Sequence, residues 1–261
     1  MNATLSSRAE RVSIEALHHL LGRIDCTAAL HEPFTHIYLE EVFPPILYQQ
    51  LLHSLPPQEM YDRAAERHYG DGQFVRSMYA LSKDGLARLS GEQSEIWRGV
   101  AAALTAPELK QAMFNKLGKD LAFRYGVSES EVSQLPGHSR PTLYRETDGF
   151  EIPPHPDTRK KIITMHLYLP ADRSQLDLGT ALYRRKLLAW PLGGWRHRFE
   201  KVKQFAFQPN SAYAFVVNNK ITKKSWHGRE QLPTGSGVRN TLLNTFYDTP
   251  RDGFVSYREA A

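Results

Sequence analysis

The sequence predicts an α+β fold, mainly β, in which helices flank an antiparallel β core. Three observations predict it. Apolar residues recur at helical spacing before residue 134, and short alternating runs punctuated by Pro, Gly, Asn and Asp come after it. The composition, 261 residues with 41% hydrophobic and 23% charged, is that of a chain able to bury a core. The expected division is 1–134, helices and strands packing on the core, and 135–261, the core itself, the two forming one structural domain.

A first helix is expected from Ser6 to about Asp25, where Val12, Leu17, Leu20, Leu21 and Ile24 share a face and Ser6 or Ser7 supplies an N-cap. That face serves equally to cover the core or to make a dimer contact. A strand over Thr35 to Val42 precedes a helix that Pro44-Pro45 opens and Pro56-Pro57 stops. Between Tyr61 and Leu81 no period is clear, and Phe74 to Leu81 is the one strand-like stretch. Helices follow from Gly91 to Leu104 and from Pro107 to Tyr125, with Gly126 as the stop. Strands are then expected at Thr142 to Arg145, Ile162 to Leu169, Ala181 to Tyr183, Val202 to Phe207, Ala212 to Val217 and Asn240 to Tyr247.

Charge and cysteine content narrow the classes of function. Lys and Arg exceed Asp and Glu by 33 to 28, a +5 balance that favours anionic ligands but is too small to indicate nucleic acid by itself. Cys26 is the sole cysteine, which rules out an internal disulfide or a thiolate metal cage and points to a reducing cytosol. The N-terminus lacks the pattern of a signal peptide and no run reaches eighteen apolar residues, so a cytoplasmic protein free of membranes, monomer or homodimer, is expected.

His155 and Asp157 are separated by one residue. In extended chain both project from one face and can chelate one ion, although Pro153-Pro154-His155-Pro156-Asp157 also reads as a turn. His227 follows a strand-like run and a short basic loop. Two imidazoles and one carboxylate make a facial triad that leaves open positions on ferrous iron, as O2 and a chelating cosubstrate require. A zinc hydrolase uses similar ligands, so the triad alone leaves the metal open. Arg239 begins a strand twelve residues after His227. A guanidinium entering a barrel interior needs a carboxylate to meet it bidentately, which the far end of 2-oxoglutarate offers, whereas a strand-edge arginine facing solvent needs none.

The ordered set His155-Pro156-Asp157, Tyr168-Leu169-Pro170, Gly179-Thr180-Ala181-Leu182-Tyr183, Pro209-Asn210, Trp226-His227-Gly228 and Arg239 resembles the Fe(II)/2-oxoglutarate-dependent dioxygenases. The branch it resembles is the bacterial one similar to prolyl 4-hydroxylase catalytic domains, over roughly residues 140–249. The resemblance implies a double-stranded β-helix, a jelly-roll with helices on its larger sheet. It further implies iron on His155, Asp157 and His227, 2-oxoglutarate on Arg239 with Tyr144 contributing, and O2 as co-reactant. Thr164, His166 and Tyr168 share one strand face and Ile163, Met165 and Leu167 the other; either set lines the barrel, and Thr164 is a cosubstrate contact in the first case. Relatives that halogenate carry Gly or Ala where Asp157 stands, so the intact carboxylate implies hydroxylation or another oxidative transformation.

The substrate expected is a small molecule such as an amino acid or natural-product intermediate, with succinate and CO2 as coproducts. Arg145, Arg159, Trp226 and Arg229 are the residues expected around it, the arginines suiting an anionic group. Alternatives are a hydroxylase of protein or peptide side chains and a non-catalytic 2-oxoglutarate or metal sensor. Nucleic-acid demethylases of this superfamily carry a second arginine six residues beyond the first; here that position is Thr245.

Overall fold

Capping and glycine placement fix the ends of the helices in the computed structural model, which describes residues 5–64, 75–186, 194–220, 223–251 and 253–254. Helix α1 spans Ser7–Cys26, and its N-cap is Ser6, whose hydroxyl accepts from the Ala9 N–H at 3.2 Å. Further helices are α2 (Pro45–His53), α3 (Lys83–Ala87), α4 (Gly91–Thr105), α5 (Pro107–Lys116), α6 (Gly118–Tyr125) and the single turn α7 (Trp195–Arg198). The helix expected over Pro107 to Tyr125 is therefore two. Leu117, at φ −102° and ψ 18°, leaves the helical region between them. Met113, Leu117 and Leu121 stay buried across this break at a spacing of four, which is why the sequence reads as continuous. Gly126 does end α6, at φ 72°.

The strands are β1 (His36–Glu40), β2 (Asp62–Arg63), β3 (Arg76–Ala80), β4 (His138–Glu146), β5 (Ile152–His155), β6 (Lys161–Tyr168), β7 (Ala181–Arg185), β8 (Phe199–Gln204), β9 (Ser211–Val216), β10 (Asn219–Lys220), β11 (Lys223–Lys224), β12 (His227–Arg229) and β13 (Arg239–Tyr247). Phe74, the start of one expected strand, lies outside the described residues; β3 covers the rest of that stretch. An antiparallel major sheet of order β1-β9-β6-β13-β4-β3-β2 faces a minor sheet of order β5-β12-β7-β8. Two sheets with strands exchanged between them and helices on the larger one make the jelly-roll. Three strands of the major sheet come from before residue 134, with β1 pairing to β9 and β3 to β4.

Alternation along the strands divides the core in two. Ile163, Met165 and Leu167 of β6, with Ala212 and Ala214 of β9 and Leu242 of β13, face the helices; Val12, Leu20, Trp97, Val100 and Leu109 complete that layer. Tyr168, Tyr213 and Phe215 face the other way and meet Phe150, Leu182, Phe205 and Phe207 between the sheets. The open choice on β6 is thus resolved: its even-numbered residues line the barrel. The apolar face of α1 is buried against this chain's own helices. It approaches α4 so closely that a Cβ on Gly99 would lie 2.6 Å from both the Ala9 carbonyl and Val12.

Candidate active site

The site begins with two strands too short to be read from periodicity. β5 ends in His155 and β12 begins with His227, and the two residues are direct antiparallel partners. That register puts their rings 4.4 Å apart between centroids. Gly228 makes the approach possible. A Cβ there would sit 2.6 Å from the Ile152 carbonyl oxygen and 3.1 Å from the Pro154 nitrogen, both backbone atoms. Gly228→Ala is expected to push β5 and β12 apart, costing about 1 to 3 kcal/mol, with weaker metal binding. Denaturant unfolding and a metal titration of the same variant check both parts.

Asp157 lies two residues past β5, in the turn toward β6, and completes the constellation. One ligating atom from each of His155, Asp157 and His227 lies within 4.8 Å of the others. Nε2 of His155 is 4.0 Å from Asp157 Oδ1, and Nε2 of His227 is 3.7 Å from Asp157 Oδ2. The opposite ring nitrogens are engaged: His155 Nδ1 meets the Pro153 carbonyl and His227 Nδ1 the Ser225 carbonyl, each at 3.0 Å. A carbonyl only accepts, so each Nδ1 carries the proton and each Nε2 directs its lone pair at the shared point. Burial, then the neighbouring His155, push the His227 imidazole down to about 3, so it is neutral at pH 7. Burial also lowers His155, with Asp157 opposing. For Asp157 burial alone would raise the carboxyl, but the Lys161 ammonium 2.5 Å away opposes it and holds it ionised. Thr164 Oγ1 donates to Asp157 Oδ2 at 2.7 Å. Two neutral imidazoles and an anchored carboxylate are a donor set that fits a divalent ion.

Beyond the ligands a cavity of about 90 Å3, partly open to solvent, runs between the sheets, walled by Phe150, Ile152, Thr180 and Tyr213. Its deep end holds an arginine–glutamate–arginine ladder. Arg76, Glu146 and Arg239 sit side by side on β3, β4 and β13, and Glu146 pairs with both guanidiniums, at 3.1 Å from Arg76 Nε and in closer contact with Arg239 Nη1. Arg239 Nε donates to the Leu178 carbonyl at 2.8 Å, and the guanidinium lies over the Phe207 ring, 4.3 Å from its centroid. Its Nη2 has no hydrogen-bond partner.

Other residues singled out in the sequence sit elsewhere than expected. Thr164 points inward, but its hydroxyl donates to Asp157 and the residue is not among those that line the cavity. Tyr144 shares the inner face of β4 with Glu146, yet it carries the Arg76 guanidinium 4.1 Å from its ring centroid and does not line the cavity. Arg145 falls on the opposite face by alternation and hydrogen-bonds to Gln58 at 3.2 Å, away from the cavity. Arg159 is exposed in the turn before β6, where its carbonyl accepts from Arg124. Trp226 packs its ring edge-on against Phe199 outside the cavity. Arg229, in contrast, does line the cavity, and it is buried there, only 3% exposed. Sequence reasoning missed Arg76, Glu146 and Lys161, which line the cavity together with His166, a residue it placed in one of the two candidate barrel-lining sets. For Glu146 the signal was available, since period two from Tyr144 sets it on the same face.

Comparison with known proteins agrees with this architecture. A prolyl-4-hydroxylase from Pseudomonas putida superposes with a TM-score of 0.50 at 14% identity, covering 89% of this chain and 99% of that one. The non-haem α-ketoglutarate-dependent epimerase SnoN from nogalamycin biosynthesis gives 0.50 at 12%, covering 89% of this chain and 83% of that one. No protein-family model matches the sequence, and a search of curated proteins gives no match. The chain therefore has the fold of the 2-oxoglutarate-dependent non-haem iron oxygenases.

Proposed function

We propose that this protein is an Fe(II)- and 2-oxoglutarate-dependent oxygenase acting on a small, anionic molecule, with succinate and CO2 as coproducts. The observation that carries the reading is the pairing of two features in one cavity: three ligands with their Nε2 lone pairs and carboxylate aimed at one point, and unpartnered guanidinium N–H groups at the closed end. His155, Asp157 and His227 would hold the metal, and Arg239 the distal carboxylate of 2-oxoglutarate. Held there, ferrous iron would supply the coupling of oxidative decarboxylation of the 2-oxo acid to O2 activation.

The protein's own residues bind, orient and exclude water. Thr164 and Lys161 fix the Asp157 carboxylate, so the ligand set needs little reorganisation. Glu146 and the Leu178 carbonyl hold the Arg239 fork in place before a ligand arrives. Phe150, Ile152 and Tyr213 keep the cavity wall dry.

Charge supports the anionic substrate. The cavity is lined by four cations, Arg76, Lys161, Arg229 and Arg239, against two carboxylates, Glu146 and Asp157, a surplus of two positive charges. Fe(II) and the 2-oxoglutarate dianion add nothing to that balance. A substrate with a carboxylate or phosphate is drawn in by the remaining field.

The test is succinate formation from 2-oxoglutarate by the purified protein with Fe(II) and O2, without substrate and then with pools of anionic metabolites screened by mass for +16 and −2 products. Slow succinate release that rises with one pool is the expected result. Binding of 2-oxoglutarate with no succinate under any condition would make the protein a sensor and not an enzyme.

A further inference from the structure

We infer that the carboxylate at the closed end of the cavity is clamped between two guanidiniums, Arg239 from the major sheet and Arg229 from the minor sheet, so that the site takes 2-oxo dicarboxylates and discriminates against 2-oxo monoacids. The inference rests on the cosubstrate reading above and adds to it a second cation on the facing sheet.

Arg229 occupies an expensive position. Only 3% of the residue is exposed, and among the described residues no carboxylate pairs with it. One hydrogen bond is made, from Nη1 to the Gly179 carbonyl at 3.1 Å, while Nε and Nη2 have no partner. A buried cation in this condition destabilises a fold unless an anion joins it.

The backbone shows where that anion belongs. Arg229 hangs on the Gly179 carbonyl and Arg239 on the Leu178 carbonyl, two consecutive acceptors in the segment leading into β7. Both arginines line the same cavity, and Nε and Nη2 of Arg229 and Nη2 of Arg239 are buried there without a hydrogen-bond partner. Glu146 does not fill this role for Arg229: its ion pairs are with Arg76 and Arg239. Three unused donors from two planar forks match the lone pairs of one carboxylate. Sequence placement explains how this arises, because β12 carries both His227 and Arg229 and both line the cavity, tying a metal ligand and a clamp residue to the same short strand.

Two probes and two variants test the clamp, all on metal-loaded full-length protein without O2. Binding of 2-oxoglutarate and of 2-oxopentanoate, which lacks the distal carboxylate, is measured by calorimetry for wild type, Arg229→Met and Arg229→Lys. The wild type is expected to prefer 2-oxoglutarate by 100-fold or more. Arg229→Met is expected to lose 10- to 100-fold in 2-oxoglutarate affinity with 2-oxopentanoate changed less than threefold, and Arg229→Lys to recover part of the loss. In the ligand-free state Arg229→Met should unfold at a higher temperature than wild type, because an uncompensated buried charge has gone; a merely structural arginine would show the opposite. Unchanged 2-oxoglutarate affinity in Arg229→Met overturns the clamp, and so does a loss that falls equally on both probes. If Arg239→Ala also leaves 2-oxoglutarate affinity unchanged, the cosubstrate reading itself falls; if Arg239→Ala alone weakens it, only the clamp does.

Discussion

Single replacement of His155, Asp157 or His227 by Ala is expected to abolish 2-oxoglutarate turnover while the protein remains folded. Each contributes one of three ligating atoms gathered within 4.8 Å. Losing a partner that merely orients a ligand costs 10- to 100-fold in metal affinity, so losing a ligand should cost more than about 100-fold. The three variants differ in stability in a way the geometry dictates. His155→Ala and His227→Ala remove neutral rings, whereas Asp157→Ala strips Lys161 of its counter-ion at 2.5 Å. Breaking a buried ion pair from one side costs about 3 to 5 kcal/mol, and Lys161, with 21% of its side chain exposed, belongs at the lower end of that range. Asp157→Ala should therefore show the lowest unfolding midpoint of the three. Metal titration by calorimetry and denaturant unfolding check the two effects separately; metal affinity within tenfold of wild type in any variant removes that residue from the site.

The second large effect is expected at Arg239. With that guanidinium gone, the distal carboxylate of 2-oxoglutarate loses a buried, charge-assisted partner, about 3 to 5 kcal/mol. At 1.4 kcal/mol per decade this is roughly two to three and a half decades of affinity. Arg239→Lys should regain only part, since an ammonium cannot donate two parallel bonds and cannot keep both the Leu178 carbonyl and Glu146 while doing so. Metal affinity should be unchanged. Anaerobic binding of 2-oxoglutarate within threefold of wild type in Arg239→Ala would remove Arg239 from the cosubstrate site.

Much of this architecture was legible in the sequence where a physical period exists. α1, α2, α4 and the strands β6, β9 and β13 announce themselves through spacing of three to four or two, and Gly126 through its need for positive φ. Legibility failed where the chain is short or breaks a local rule. β5 is Ile-Pro-Pro-His and β12 is His-Gly-Arg, segments whose composition is that of loops; their strand character comes from pairing to each other and to β7. β4 starts at His138 and not at Thr142, because Pro141 sits inside a central strand against the usual exclusion, opposite Asn244. The long apolar spacing through Leu117 concealed a break. In the site, the His-x-Asp spacing and the remote histidine were visible as chemistry, but the contact of Glu146 with two arginines depends on the register of β3, β4 and β13, which no local pattern encodes. Arg145 and Arg229 illustrate the same point in opposite directions. Both were expected around the substrate, yet one faces away from the cavity and the other is buried in its wall.

The most direct measurement is an anaerobic titration of the Fe(II)-loaded protein with 2-oxoglutarate, following the metal-to-ligand charge-transfer absorption that a chelated 2-oxo acid produces. The account predicts a band that saturates at one equivalent in wild type, is absent from Asp157→Ala and His227→Ala, and needs far more 2-oxoglutarate in Arg239→Ala. A wild-type protein that binds Fe(II) yet gives no band, or a band of equal intensity in wild type and Asp157→Ala, would contradict it.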